Sequence, residues 1–194
     1  DVFIALAEES DFIPELGRWV LRTALAPFQQ WRADPHHRVR HMSVNLSPLQ
    51  LADPELPGEL HAILREFGIL PGQLELEITE GALIRDMDAA IERLASLRNL
   101  GVAIALDDFG VGYSALSYLS RLPFDTLKID KSLVFAFGVE RPALAIATAI
   151  VALAQALDKR VVAEGVETLA QATLLETLGV QELQGYLYGK PQTA

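Results

Sequence analysis

The sequence predicts an α/β fold in which a parallel β-sheet carries helices between its strands. Short apolar runs typical of buried strands alternate with longer segments of helical periodicity along all 194 residues. Connections of this kind between parallel strands are right-handed crossovers. An open, doubly wound sheet is the first alternative, but no G-x-G-x-x-G sequence follows the first strand and no P-loop occurs.

The number of strands favours an incomplete barrel. Six strands are predicted, whereas an α/β barrel of eight strands typically needs about 250 residues. We therefore predict a TIM-type (β/α)8 barrel that lacks its first two strands, although six strands do not close a standard barrel. We predict that residues 1–194 belong to a single domain.

The strands are predicted from short apolar runs and from alternation. In the run 40–46, Met42 and Val44 share one face and Ser43 and Asn45 the other, as expected of a half-buried strand. The six predicted strands are Arg40–Leu46, Leu74–Thr79, 102–106, Thr126–Asp130, Arg160–Glu164 and Glu182–Leu187.

The helices are predicted from apolar residues at helical spacing and from their start and stop signals. In the first helix, Trp19 and Phe28 are assigned to the packing face. Asp53 followed by Pro54 is the expected order of cap and first-turn proline for the second helix. The six predicted helices are Pro14–Arg32, Asp53–Phe67, Met87–Leu100, Ser114–Arg121, Pro142–Leu157 and Leu169–Leu178.

Composition narrows the class of protein. The chain is 51% hydrophobic and 22% charged, which fits one globular domain with a sizeable core, and it contains no cysteine. A disulfide framework, a thiolate metal site and a cysteine nucleophile are therefore excluded. The net charge of −10 disfavours DNA as a partner. No membrane span or secretory leader is visible, so we expect a cytoplasmic domain without membrane contact of its own.

Two adjacent acids, Asp107 and Asp108, end the third strand and precede a glycine-rich turn. Neighbouring like charges repel, and burial increases the repulsion unless a cation or a donor lies between them. The pair is therefore a candidate metal site. The alternative is that one acid caps the following helix and the other is solvated.

Polar side chains also end the other predicted strands, and the carboxyl ends of barrel strands form the active face. They are Asn45, Glu77, Asp107 with Asp108, Lys128 followed by Asp130, Glu164 and Gln184. Carboxylate and amide oxygens are ligands for Mg²⁺ or Mn²⁺. Two such ions, bridged by Asp107, suit a phosphoryl displacement in which Lys128 orients water or neutralises phosphate charge. Asp130 remains open between a catalytic role and a structural one.

Six ordered motifs together resemble a known family. They are Ser43-Val44-Asn45-Leu46-Ser47, Glu75-Leu76-Glu77-Ile78-Thr79-Glu80, Asp107-Asp108-Phe109-Gly110-Val111-Gly112-Tyr113-Ser114, Leu127-Lys128-Ile129-Asp130, Ala163-Glu164-Gly165-Val166-Glu167-Thr168 and Gln184-Gly185-Tyr186-Leu187. This set resembles the EAL domain, a family of bacterial phosphodiesterases that hydrolyse cyclic di-GMP to linear pGpG. The resemblance covers essentially the whole chain.

The resemblance implies a role for each matching residue. The metal ligands, for two Mg²⁺ or Mn²⁺ ions, are Asn45, Glu77, Asp107, Asp108 and Glu164. Lys128 is implied to hold the nucleophilic water, with Glu164 also a general base. Gln184 is implied to lie beside the metals and the substrate. Glu80 is implied to anchor a mobile loop at residues 108–114. A homodimer, and fusion to sensory or GGDEF-type domains, are also implied.

The sequence departs from the family at two places. The Glu-Ala-Leu motif and the strand before it are absent, whereas segment 3–9 resembles what normally follows them. We therefore expect an N-terminally truncated domain that lacks one metal ligand and is itself inactive. Val111 and Ala115 replace the usual threonine and serine of the loop, from which we expect modest effects on its dynamics.

Other functions are compatible with parts of the pattern. One is a catalytically inactive cyclic di-GMP receptor, although such members usually lose ligands that are present here. Another is a Mg²⁺-dependent barrel that abstracts a proton with a lysine. Asp108-Phe109-Gly110 also spells a kinase motif, but its companion motifs are missing. His36, His37 and His41 are assigned to a solvated turn and strand start, not to a metal cluster.

Overall fold

The computed structural model describes residues 6–7, 10, 12–34, 36, 38–83, 86–110, 116–137 and 141–192. The chain forms two compact units, Asp1–Ile104 and Ala105–Ala194. Strand β3 begins in the first unit and continues into the second.

The first unit contains two parallel strands and five helices within its described residues. These are α1 (Ile13–Ala33), β1 (Met42–Asn45), α2 (Pro48–Ala52), α3 (Leu56–Glu66), β2 (Leu74–Thr79), α4 (Glu80–Leu83) and α5 (Met87–Asn99). The register of β1 on β2 runs from Met42 opposite Leu74 to Asn45 opposite Glu77. The carboxyl ends of the two strands are therefore level.

Helix α1 packs through one face and pairs with α3 through charged residues. Leu25 and Phe28 are fully buried. Arg18 donates a hydrogen bond to Glu59 at 2.7 Å. The prediction for Trp19 was wrong, since 62% of this residue is exposed. On the helical wheel, Trp19 lies on the side of α1 opposite the buried residues.

The predicted helix Asp53–Phe67 is corrected by the structure. A separate helix, α2, begins at the capping box of Ser47 and Gln50 and ends at Asp53, whose backbone is extended. The Asp53 carboxylate accepts a hydrogen bond from the backbone N–H of Glu55 at 2.9 Å. Helix α3 therefore starts at Leu56, and Asp53 closes a turn between two helices.

The strands of the second unit form parallel pairs that follow chain order. Its elements are β3 (Ala103–Phe109), α6 (Leu116–Leu119), β4 (Thr126–Ile129), α7 (Lys131–Phe135), α8 (Arg141–Ala156), β5 (Arg160–Ala163), α9 (Leu169–Leu178) and β6 (Glu182–Leu183). Strand β3 pairs with β4, β4 with β5, and β5 with β6. The buried core includes Phe124, Leu127, Val161 and Leu175.

Several predictions in this unit change at their boundaries. Strand β3 continues through both acids to Phe109, and β6 ends at Leu183 instead of Leu187. Beyond β6 the chain turns back on itself, because Tyr188 N–H bonds to the Gly185 carbonyl at 3.0 Å. Helix α7 was not predicted. Residues 114 and 115 of the predicted helix 114–121 lie outside the described residues.

Of the helices in the described segments, none combines the length and the hydropathy needed to cross a bilayer.

Candidate active site

Strand β3 contains a bulge at the consecutive acids Asp107 and Asp108, which allows both side chains to approach the same group of residues. Leu106 lies opposite Leu127 and Phe109 opposite Ile129, so β3 carries one more residue than β4 over this interval. Asp108, inside the bulge, has φ of 55°. Neighbouring residues of a regular strand point to opposite faces, but an extra residue breaks that alternation. Asp tolerates the left-handed region better than most residues.

The Lys128 ammonium lies between two of the predicted carboxylates. Its Nζ atom is 3.2 Å from Asp107 Oδ1 and 2.5 Å from Glu164 Oε1. Lys128 is only 3% exposed. A buried ammonium requires compensation for its lost hydration, which the two acids supply. The structure therefore brings together Asp107, Lys128 and Glu164 from β3, β4 and the end of β5.

Asp108 joins this group through its electrostatic neighbours. Asp108 is exposed, but loss of hydration to the surrounding protein is the largest cause that raises the pKa of its carboxyl above the ordinary value of 3.8. The charges of Asp107, Asp130 and Glu164 raise it further, and a side-chain hydrogen bond with Asp130 acts in the same direction. The fold therefore favours a proton on Asp108, which then donates to Asp130.

Asp130, left open between two roles, caps a helix. Its Oδ1 atom accepts a hydrogen bond from the backbone N–H of Ser132 at 2.8 Å, at the start of α7. Burial acts to raise the pKa of Asp130, but hydrogen bonds from Ser132, Asp108 and Lys131 together hold it below 3.8. The hydrogen bond between the Asp130 and Asp108 side chains was not predicted, because no pattern in the sequence indicates a contact across the bulge.

Glu164 follows β5 directly, and its backbone N–H bonds to the Ile129 carbonyl at 3.1 Å. Gln184 follows β6, and its N–H bonds to the Ala163 carbonyl at 2.8 Å. The Gln184 carbonyl in turn accepts a bond from Val166 N–H at 3.0 Å. The backbone of Gln184 is thus tied to both sides of Glu164, while the residue itself is exposed.

The first unit brings Asn45 and Glu77 together at the ends of β1 and β2. They are opposite each other in the register, and Leu46 N–H bonds to the Glu77 carbonyl at 2.8 Å. Two residues earlier, Ser43 donates to Glu75 at 3.2 Å across the same pair of strands. Glu80 begins α4 and is 9% exposed. Val111 and Ala115 lie outside the described residues.

The chemical type of the oxygen ligands at this site suits a hard divalent cation. Asp107, Asp108 and Glu164 offer carboxylate oxygens, the class of ligand that Mg²⁺ and Mn²⁺ prefer. Within the described residues, however, no three Asp, Glu or His side chains are gathered as a metal-binding cluster. The Lys128 ammonium is the cation that links Asp107 and Glu164 here. His36 and His41 are exposed.

Comparison with known proteins decides the family. The sequence model described as "EAL domain" matches residues 1–191. The chain belongs to the EAL domain family. Its sequence is 42% identical over 192 residues to the bifunctional diguanylate cyclase/cyclic di-GMP phosphodiesterase MucR of Pseudomonas aeruginosa, covering 99% of this EAL domain and 28% of MucR. It is 42% identical to the cyclic di-GMP phosphodiesterase NbdA of the same organism, covering 98% and 24% respectively.

The solved structures confirm the predicted fold class. This EAL domain superposes on the PaMucR phosphodiesterase, solved as a c-di-GMP complex, with a TM-score of 0.93 and 41% identity. The match covers 99% of this chain and 77% of that one. The α/β fold of the TIM-barrel type and the family predicted from the six motifs are thus both confirmed. The chain spans about a quarter of the length of the curated relatives it matches.

Proposed function

We propose that the EAL domain to which this chain belongs hydrolyses cyclic di-GMP to linear pGpG with the help of Mg²⁺ or Mn²⁺. The observation that carries the proposal is the buried Lys128 ammonium held between Asp107 and Glu164, with Asp108 beside them. The family and the names of the relatives support cyclic di-GMP as the substrate. Buried charges gathered at the ends of barrel strands are expected of a catalytic face.

The proposed metal ligands are Asn45, Glu77, Asp107, Asp108 and Glu164. When bound, two divalent ions supply a hydroxide at neutral pH and neutralise charge on the phosphate. Asp107, Asp108 and Glu164 are the carboxylates of the second unit that would hold them. Binding requires the proton to leave Asp108, since only the carboxylate is a ligand.

Lys128 and Glu164 are proposed to act on the attacking water, Lys128 by holding it and Glu164 by accepting its proton. The Lys128 ammonium, which lies at the Asp107 and Glu164 carboxylates, is proposed to donate a hydrogen bond to the attacking water. Glu164 Oε1 is the atom that accepts the water's proton, because it already lies at the Lys128 ammonium. Gln184 is proposed to contact the substrate.

Other features of the proposal follow from the family. Glu80 is proposed to anchor the loop at residues 108–114. A homodimer, a cytoplasmic location and fusion to sensory or GGDEF-type domains are likewise proposed. The matched segments make up only 23%, 28% and 24% of three relatives, which supports fusion.

The test is turnover of cyclic di-GMP with Mg²⁺ or Mn²⁺, with pGpG followed by chromatography. The assay uses this chain and, in parallel, the longest polypeptide that its gene encodes. We expect Lys128→Met and Glu164→Gln to lower kcat by about 100-fold or more, the usual range for loss of a proton-transfer group. Lys159→Met is the matched control, since Lys159 stacks on the Phe124 ring at 5.2 Å instead of pairing with the carboxylates.

Two outcomes contradict the proposal. If both polypeptides bind cyclic di-GMP but neither produces pGpG, the domain is a receptor. If Lys159→Met loses as much activity as Lys128→Met, the effect of Lys128 on turnover is not specific to its place among the acids.

A further inference from the structure

The side chain of Gln171 joins two parts of the second unit. Its Oε1 atom accepts hydrogen bonds from the backbone N–H groups of Glu167 and Thr168, both at 2.9 Å, and from Thr168 Oγ1 at 3.2 Å. Its Nε2 atom donates to the Val134 carbonyl at 3.3 Å. Both ends of the amide are therefore used, one on the loop before α9 and the other on α7.

Capping of α9 requires only part of this arrangement. Thr168 accepts a bond from Gln171 N–H at 3.2 Å, which completes a capping box. A glutamate at this position would serve the box equally well, and its charge would add a favourable interaction with the helix dipole. Glutamate, however, has no N–H to donate to Val134. The amide donor is thus the chemical feature that capping does not require.

The bond to Val134 connects the segments that carry Lys128 and Glu164. Helix α7 starts two residues after β4, the strand that holds Lys128. The loop 164–168 also lies against α7 at its other end. Gly165 has φ of +70°, and a Cβ atom there would be 2.5 Å from Lys131 Cβ. The loop therefore packs closely against α7 at Gly165 and is linked to it through the hydrogen bonds of Gln171.

We propose that Gln171 is a positioning residue for Glu164. By tying the loop 164–168 to α7, it keeps the Glu164 carboxylate at the Lys128 ammonium. The kinetic consequence rests on the proposed function, whereas the positioning itself concerns only this chain's own side chains. Residues that orient a functional carboxylate typically affect activity by 10–100-fold when they are changed.

The decisive variant is Gln171→Glu, which keeps the acceptor of the capping box and removes the donor. We expect kcat to fall roughly tenfold with KM unchanged, since substrate contacts remain. In the metal-free chain, we expect the ¹⁵Nζ signal of Lys128 to shift or broaden as its pairing with Glu164 loosens. Gln171→Met removes the donor and the acceptor together, and is expected to show the same changes with a lower free energy of unfolding.

Asp86→Ala is the matched control. Asp86 caps α5 by accepting a hydrogen bond from the Ala89 N–H at 3.1 Å, so its loss also removes a helix cap, but in the first unit. It is expected to leave kcat and the Lys128 signal unchanged.

If Gln171→Glu matches the wild type in both kcat and the Lys128 signal, Gln171 is a helix cap and the proposal is overturned. If neither the wild-type chain nor the longest polypeptide that its gene encodes has activity, the proposed function fails. The Lys128 signal then decides the positioning role alone, and an unchanged signal overturns it.

Discussion

At the scale of single residues, Asp108 combines a strained backbone with a disfavoured charge. Its φ of 55° and its raised pKa both arise where the bulge of β3 brings it against other acids. In the folded chain, Asp108 keeps its proton to a higher pH than in the unfolded chain. Its contribution to stability therefore falls as the pH rises from 3.8 through the raised pKa. Such a cost is typical of functional positions.

We expect Asp108→Asn to make the metal-free chain more stable than the wild type at pH 7. Asn tolerates the same backbone, keeps an N–H to donate to Asp130 and carries no charge. The difference should shrink as the pH falls toward 3.8, where the aspartate takes up its proton in both states. Urea unfolding with a chelator at both pH values measures it. The control is Asp158→Asn, at an exposed residue with the same φ of 55°.

The prediction has a functional counterpart. Asp108→Asn should lose turnover although it gains stability, because the neutral amide oxygen binds a divalent cation more weakly than the charged carboxylate that it replaces. A variant that gains no stability at pH 7 would show that the neighbouring acids do not act on Asp108 as described.

At the scale of elements, close backbone contact fixes the turn after β6 against the Glu164 loop. A Cβ atom on Gly185 would lie 2.2 Å from the Val166 carbonyl oxygen and 2.3 Å from its nitrogen. Leu187 N–H also bonds to the Val166 carbonyl at 3.0 Å. An alanine at position 185 must therefore push apart backbone that is held by hydrogen bonds.

We expect Gly185→Ala to lower the free energy of unfolding by about 2 kcal/mol, the usual cost of overpacking a rigid site. It should also reduce kcat, because Val166 is two residues from Glu164. Gly189→Ala is the control, since a Cβ atom at Gly189 would have no atom within 4 Å. Urea unfolding and turnover measure both variants. Equal stability of the two variants would contradict the close contact at Gly185.

The regular elements were predictable and the short ones were not. Strand β2 and helix α9 agree with the prediction at both ends, because alternation and helical spacing extend over their whole lengths. Helices α2, α4 and α7 have four or five residues, too few to show a period. Capping boxes are sequence signatures: the one at Ser47 could have located the start of α2, and the one at Thr168 could have indicated the role of Gln171.

At the scale of the whole molecule, the sequence predicted which residues belong to the candidate site but not which of their side chains are in contact. Six ordered motifs identified the family, and strand ends identified Lys128 and Glu164. The pairing of Lys128 with Glu164 depends on the register of β4 on β5, which no local pattern fixes. The bulge that admits Asp108 likewise depends on how β3 pairs with β4. Contacts of this kind are tertiary and have no signal in spacing.

The net charge of −10 predicts how salt affects the proposed reaction. Cyclic di-GMP carries two negative phosphodiester groups, so an acidic chain repels it at long range. Salt screens this repulsion, since the Debye length falls from about 30 Å at 0.01 M to about 8 Å at 0.15 M. At saturating metal, we therefore expect kcat/KM to rise roughly twofold over that range.

Glu176→Lys, at an exposed position of α9, should make kcat/KM less dependent on salt. A fall in kcat/KM with salt, as in most proteins that bind nucleic acids, would instead mean that local positive charge around Lys128 dominates the approach of the substrate.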